Sequence, residues 1–166
     1  MRWIIFAALI ALSGVPGITL EPSDPPRPLA IKNATIVYQV GRDGNRAALR
    51  TNDRFYIDSP KPLVVLVNKN SASGAEIIAA GVRANGVGTV MGDRTAGCVG
   101  IGQPRELPDG GLLLVTIARM EDAKTGEPLN GPGKGVVPDK PVATDSSGTD
   151  NQRLAADAFI RSGGKS

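Results

Sequence analysis

The sequence predicts an α/β fold, and three observations carry that prediction. The apolar run Leu63-Val64-Val65-Leu66-Val67 lacks the alternation of a half-exposed strand, which is the pattern of a strand covered on both faces in a parallel sheet. A helical stretch from Gly74 to Ala84 follows it and stops at Asn85-Gly86, a favourable C-terminal cap. The short strand Thr89-Val90-Met91 comes next, so 63–91 reads as a β-α-β unit, for which a right-handed crossover is expected.

The remaining elements follow in order. Arg2 and the ten apolar residues Trp3–Leu12, ending in Ala11-Leu12-Ser13, have the pattern of an export signal, so residues 1–17 are expected to be a signal peptide. Ten apolar residues are short for a bilayer span, and a buried strand or helix is the competing reading. Residues 18–33 are a proline-rich linker (Pro22, Pro25, Pro26, Pro28). The core is expected over 34–142. It opens with the β-rich run Ala34–Val40, turns at Asp43-Gly44 and returns as Arg46–Arg50. After the β-α-β unit, Gly92 to Gln103 reads as a glycine-rich loop. Pro108-Asp109-Gly110-Gly111 then turns the chain into the strand Leu112–Ala118, and the polar stretch 121–140 reads as loop. In 143–166 a polar segment leads to a terminal helix, with Leu154, Ala155, Ala158 and Phe159 at helical spacing. On the first helix, Ile77, Ile78, Gly81 and Val82 are expected to face one side.

Composition narrows the chemistry. With 166 residues, 41% hydrophobic and only 4% aromatic, the chain can form one domain with a core of Val, Ile, Leu and Ala. The net charge of +3 is spread along the chain with no basic run interleaved with aromatics, which gives nucleic-acid binding little support. One cysteine excludes an internal disulfide, and a chain with no histidine lacks the usual transition-metal ligands, so neither metal nor cofactor is expected.

Ser73 is the leading candidate for chemistry. It lies where the strand Leu63–Val67 turns through Asn68–Ala72 into the helix, so its hydroxyl is near the positive end of the helix dipole and backbone N–H groups are at hand for an oxyanion. Ser73-Gly74-Ala75-Glu76 also fits a capping box, which stabilises a helix by about 1 kcal/mol and needs no catalysis. With no histidine in the chain, a nucleophilic Ser73 cannot use an imidazole base from this polypeptide.

The run from Pro62 to Ile77, with Asn68-x-x-Ser71-Ala72-Ser73-x-x-Glu76 at its centre, resembles the nucleophile segment of the C-terminal-processing (tail-specific) serine peptidases. Gly92-Asp93-Arg94-Thr95-Ala96-Gly97 is similar to the family's Gly-Glu-x-Thr-x-Gly. Leu107-Pro108-Asp109-Gly110, and Leu129-Asn130-Gly131 through Gly135-Val136-Val137-Pro138-Asp139, resemble its later landmarks. The resemblance implies a crotonase- or Clp-protease-like β/α core, incomplete relative to the full family domain. It also implies Ser73 as nucleophile, the N–H of Gly74 as oxyanion donor and Glu76 as the anchor of the helix that aims Ser73. The substrate implied is an unstructured polypeptide or protein C-terminus, entering by strand addition at a sheet edge.

The family's lysine base falls at Cys98 in this chain. Burial can lower a lysine's pKa until its neutral amine accepts a proton, whereas a free thiol titrates at about 8.5 and is a base only as thiolate. A small buried side chain is the plainer expectation for Cys98. Gln103 is one residue beyond the place of the family's glutamine, and Lys61, Lys69 and Lys134 are the alternative bases. The half of the family domain that precedes the nucleophile, with its PDZ module, has no counterpart in these motifs. Two readings of other classes therefore stand beside the exported, periplasmic or envelope-associated peptidase. One is a degenerate or truncated, non-catalytic relative that binds peptides or a partner; the other is a crotonase-like acyl-CoA enzyme. A homo-oligomer or a partner that supplies the missing elements is the assembly the resemblance leaves open.

Overall fold

The computed structural model describes residues 33–52, 62–145 and 150–164. Seven strands and two helices alternate through them: β1 (Thr35–Gly41), β2 (Arg46–Arg50), β3 (Val64–Val67), α1 (Gly74–Ala84), β4 (Thr89–Gly92), β5 (Ile101–Glu106), β6 (Leu112–Asp122), β7 (Lys140–Pro141) and α2 (Asn151–Arg161). They form an antiparallel sheet of order β2-β1-β6-β5 and a parallel sheet of order β3-β4-β7.

The β-α-β unit forms as the sequence predicts, with β3 and β4 parallel and Val65 paired to Val90. Helix α1 packs on β3 and β4 and also on β1 and β6, so it joins the two sheets. Small side chains make that possible: Ala79, Ala80 and Gly81 are buried, and a Cβ on Gly81 would come within 2.3 Å of Ile36. The core gathers Val37, Val67, Ala79, Ala80, Val90, Val99, Met120, Leu129 and Val136. Burial of each larger aliphatic side chain there stabilises the fold by roughly 1.5–3 kcal/mol.

Four expectations are corrected. The stretch read as loop to Gln103 enters β5 at Ile101, because antiparallel pairing with β6 overrides the weak strand preference of Ile-Gly-Gln-Pro-Arg-Glu. Strand β6 runs on from Ala118 to Asp122, where β1 becomes its partner. The helix faces are also turned from the simple apolar stripe: Ile78 and Leu154 are exposed, while Ala79, Ala80 and Val82 are buried on α1 and Gln152 and Ala156 on α2. Strand β3 is half-buried over Val64–Leu66 and fully buried only at Val67, since it is an edge strand of its sheet.

Beyond its pairing with β1, β6 continues into a hairpin with β5 closed by the Pro108–Gly111 turn. This arm carries Leu112 and Leu114 at 71% exposure, with Leu107, Leu113, Val115 and Ile117 also exposed. Successive strand residues point to opposite faces, so β6 places apolar side chains on both faces of the arm, beside the exposed Gln103, Arg105 and Glu106 of β5.

One buried ion pair fastens the opposite end of α1. Asp122, 1% exposed, accepts from the Arg83 guanidinium and from the N–H groups of Lys124 and Thr125, while Arg83 also donates to the Val137 carbonyl. Burial acts to raise the Asp122 pKa, but the hydrogen bonds from Thr125, Arg83 and Lys124 and the Arg83 charge together hold it below the ordinary value of 3.8. A depressed carboxylate contributes stability that is present above its unfolded pKa and lost as pH falls through the folded one. Urea unfolding is therefore expected to show Asp122→Asn destabilised by about 3–5 kcal/mol at pH 7, with the difference from the parent shrinking toward pH 3. Equal stability of the two proteins at pH 7 would remove the pair from the account.

Candidate active site

The turn from β3 to α1 places Ser73 as the residue before the helix, in a backbone conformation (φ 56°, ψ −120°) that L-residues seldom adopt. Such a conformation costs about 1–3 kcal/mol and persists only where surrounding bonds hold it. Here the Ser73 N–H donates to the Cys98 carbonyl at 2.9 Å and to Glu76 Oε2 at 3.1 Å, and its own carbonyl accepts from the N–H groups of Glu76 and Ile77. A strained serine between a strand and a helix, with its side chain turned outward, is the geometry of a nucleophile elbow.

The Ser73–Glu76 capping-box pairing is present, and its firm half is the carboxylate on the Ser73 N–H. The N–H of Glu76 has the Ser73 carbonyl at 3.0 Å, so the helix start does not depend on the serine hydroxyl. Ser73 is exposed, and among the described residues the N–H of Gly74 has no hydrogen-bond partner. An open hydroxyl beside an unused N–H at a helix N-terminus is what attack on a carbonyl and storage of the resulting oxyanion require.

Glu76 proves to be the hub of the site. It is fully buried, and its carboxylate accepts four hydrogen bonds. Oε1 takes the Thr95 hydroxyl at 2.5 Å and the Gly97 N–H at 2.8 Å. Oε2 takes the Cys98 N–H at 2.9 Å along with that of Ser73. Thr95 is itself buried and accepts from the Val136 N–H at 2.7 Å. Gly97 has to be glycine: its φ is +72°, and a Cβ would sit 2.8 Å from the Gly131 carbonyl. The carboxylate thus binds the serine turn to the segment 95–98. Thr95 was missed from sequence as a site residue, although the Thr-x-Gly motif and a glutamate on the buried side of α1 were the signals available.

Cys98 is a free and exposed cysteine, which corrects the expectation of a small buried side chain. Its N–H and carbonyl are tied to Glu76 and Ser73, so residue 98 is fixed beside the serine turn. Gln103 is on the β5 arm, exposed, with its Oε1 accepting from Arg105 at 3.1 Å. Lys69 is exposed on the turn before Ser73, and the Lys134 ammonium is 3.6 Å from the Glu127 carboxylate. Lys61 lies outside the described residues. Among the described residues no group of three or more His, Cys, Asp or Glu is placed to hold a metal ion. None of their helices is long and apolar enough to cross a membrane.

Ser73 thus sits at the end of a parallel strand, in a strained turn tied to a Thr-x-Gly segment by a buried glutamate. The fold is shared with the photosystem II D1 C-terminal processing protease, which superposes with a TM-score of 0.62 at 30% identity over 82% of this chain and 33% of that one. A lipoprotein from Streptococcus agalactiae gives the same TM-score at 18% identity, which speaks for the fold alone. In sequence, residues 26–142 match the model of peptidase family S41, and the chain belongs to that family. A carboxyl-terminal-processing protease of Synechocystis sp. is 35% identical over 113 residues, and that of Picosynechococcus sp. is 35% identical over 153 residues. These alignments take in 68% and 89% of this chain, and the chain spans only 26% and 36% of those relatives.

Proposed function

We propose that this chain is a serine-type peptidase of the tail-specific kind, acting on protein C-termini or unstructured polypeptides. The observation that carries the reading is the strained Ser73, with an exposed side chain beside the unpartnered N–H of Gly74. In this mechanism a general base takes the Ser73 proton as its oxygen attacks the scissile carbonyl carbon, and the Gly74 N–H stabilises the tetrahedral oxyanion. Collapse passes that proton to the departing amine and leaves an acyl-enzyme on Ser73, which water, deprotonated by the same base, hydrolyses to the acid and the free serine. Glu76 touches no reacting atom and acts by fixing the turn. Cys98 occupies the place of the family's base, and Gln103 the neighbourhood of its orienting glutamine. With a thiol where an amine belongs, proton transfer from Ser73 is the weak step, and turnover by this chain alone is slow.

A second reading, a non-catalytic module that binds a polypeptide or a partner, is favoured by the apolar β5–β6 arm. Exposed apolar surface on both faces of a hairpin marks an interaction site in a soluble protein. One experiment separates the two. Labelling of the purified protein by a fluorophosphonate, lost in Ser73→Ala with the fold and stability intact, would establish an activated serine. A folded parent protein that takes no label would leave the binding module. The intact mass of the same sample, taken from an exporting host, tests the leader: cleavage within residues 13–17 supports export, and a retained Met1 excludes it.

A further inference from the structure

The loop that packs beneath the Ser73 site has a second face. On one side the Gly131 N–H donates to the Gly97 carbonyl at 3.0 Å, and a Cβ on Gly135 would come within 2.6 Å of the Thr95 hydroxyl oxygen. On the other it walls a cleft of about 330 Å³, lined among others by Arg83, Arg94, Glu127, Gly133, Lys134 and Gly135. Asp122 also lines the cleft, but Arg83 and two backbone N–H groups already occupy its carboxylate oxygens. Setting that pair aside leaves Arg94 and Lys134 against Glu127, a surplus of positive charge.

The donors there are largely unspent. Arg94 uses Nη1 on the Gly133 carbonyl at 3.0 Å, and its other guanidinium N–H groups have no partner among the described residues. The Lys134–Glu127 contact is 3.6 Å long between side chains 44% and 71% exposed, and a pair so open holds its carboxylate weakly. Gly133 and Gly135 have φ of +68° and +97° on either side of Lys134, left-handed positions in a tight turn, the kind of backbone that can present N–H groups to an anion. Among the described residues the N–H groups of Gly133 and Gly135 have no partner, and that of Lys134 goes to the Gly131 carbonyl.

We propose that this cleft binds a small oxyanion, a phosphate or a carboxylate group, with Arg94 and Lys134 as its cations and the Gly133–Gly135 backbone as its neutral donors. Glu127 is the competing carboxylate that an incoming anion displaces. The site does not depend on catalysis at Ser73, so it can be tested on a chain that turns over nothing.

The test is a titration of the full chain, followed by backbone amide shifts at constant ionic strength, with inorganic phosphate in one arm and acetate in the other. Saturable shifts at Gly133, Lys134 and Gly135 are expected in at least one arm. Saturation by phosphate alone assigns the site to phosphate groups, by acetate alone to carboxylates, and by both to oxyanions in general. Arg94→Gln and Lys134→Gln should each weaken binding about fivefold, and Glu127→Gln should strengthen it, with the remaining amide signals unmoved. Shifts that do not saturate at millimolar anion, or affinities unchanged in folded variants, would overturn the proposal.

Discussion

Cys98→Lys is expected to raise fluorophosphonate labelling of Ser73 by about a hundredfold or more, the lower end of what a positioned general base contributes. The reason is local. The Cys98 carbonyl accepts the Ser73 N–H and the Cys98 N–H donates to Glu76, so the backbone of residue 98 is fixed beside the serine whatever side chain it carries. The cysteine is exposed, so a longer side chain meets no packing obstacle there. A lysine in water is protonated at neutral pH, with a pKa of about 10.4, and accepts a proton only as the amine. The labelling rate of the variant should therefore climb with pH and level off near that value, because an exposed residue 98 has no burial to depress it. Cys98→Ala supplies the contrast: if it abolishes the slow labelling of the parent protein, the thiolate is the base. If Cys98→Lys labels no faster than the parent across the pH range, the serine is not a family-type nucleophile in this chain, and the binding module is the better reading.

What could be read from sequence divides along physical lines. Strand β3, helix α1 and strand β4 were legible because an apolar run, a capped helix and a short β-branched run are local signals, and α1 forms over the expected residues. The position of Ser73 at a strand-to-helix junction was legible for the same reason. Strand β5 was not: Gly102 and Pro104 argue against a strand, and only pairing with Leu112–Ala118, brought round by the Pro108–Gly111 turn, makes it one. The burial of α1 was legible in part. The apolar stripe pointed to Ile78, whereas contact with two sheets selects the small residues Ala79, Ala80 and Gly81. The role of Glu76 was under-read, because its four donors come from sequence positions 73, 95, 97 and 98 and meet only in the folded chain.

Glu76→Gln is expected to be among the most damaging isosteric changes available in this chain. An amide has one oxygen where the carboxylate has two, and its NH₂ would face either the pair Thr95 hydroxyl and Gly97 N–H or the pair Ser73 N–H and Cys98 N–H. In the first orientation the Gly97 N–H confronts a donor and the Thr95 hydroxyl must turn to accept; in the second, two N–H groups confront one, and the site is fully buried. Hydrogen bonds to a charged group contribute roughly 1.5–3 kcal/mol each, so losing two of them costs about 3–6 kcal/mol, against a total stability of about 5–15 kcal/mol for a typical domain. In urea, where the slope is about 1–3 kcal/mol per molar, the unfolding midpoint should fall by more than 1 M with an unchanged slope. The strain at Ser73 allows a second readout. The Glu76 carboxylate helps to hold φ at 56°, and Ser73→Gly removes the cost of that conformation in an L-residue. Stability recovered in the double variant Glu76→Gln/Ser73→Gly, beyond what Ser73→Gly gives the parent, would show that the carboxylate holds the serine in its strained pose. Additive effects would confine Glu76 to stabilising the fold, and an unchanged midpoint in Glu76→Gln would dismiss the clamp altogether.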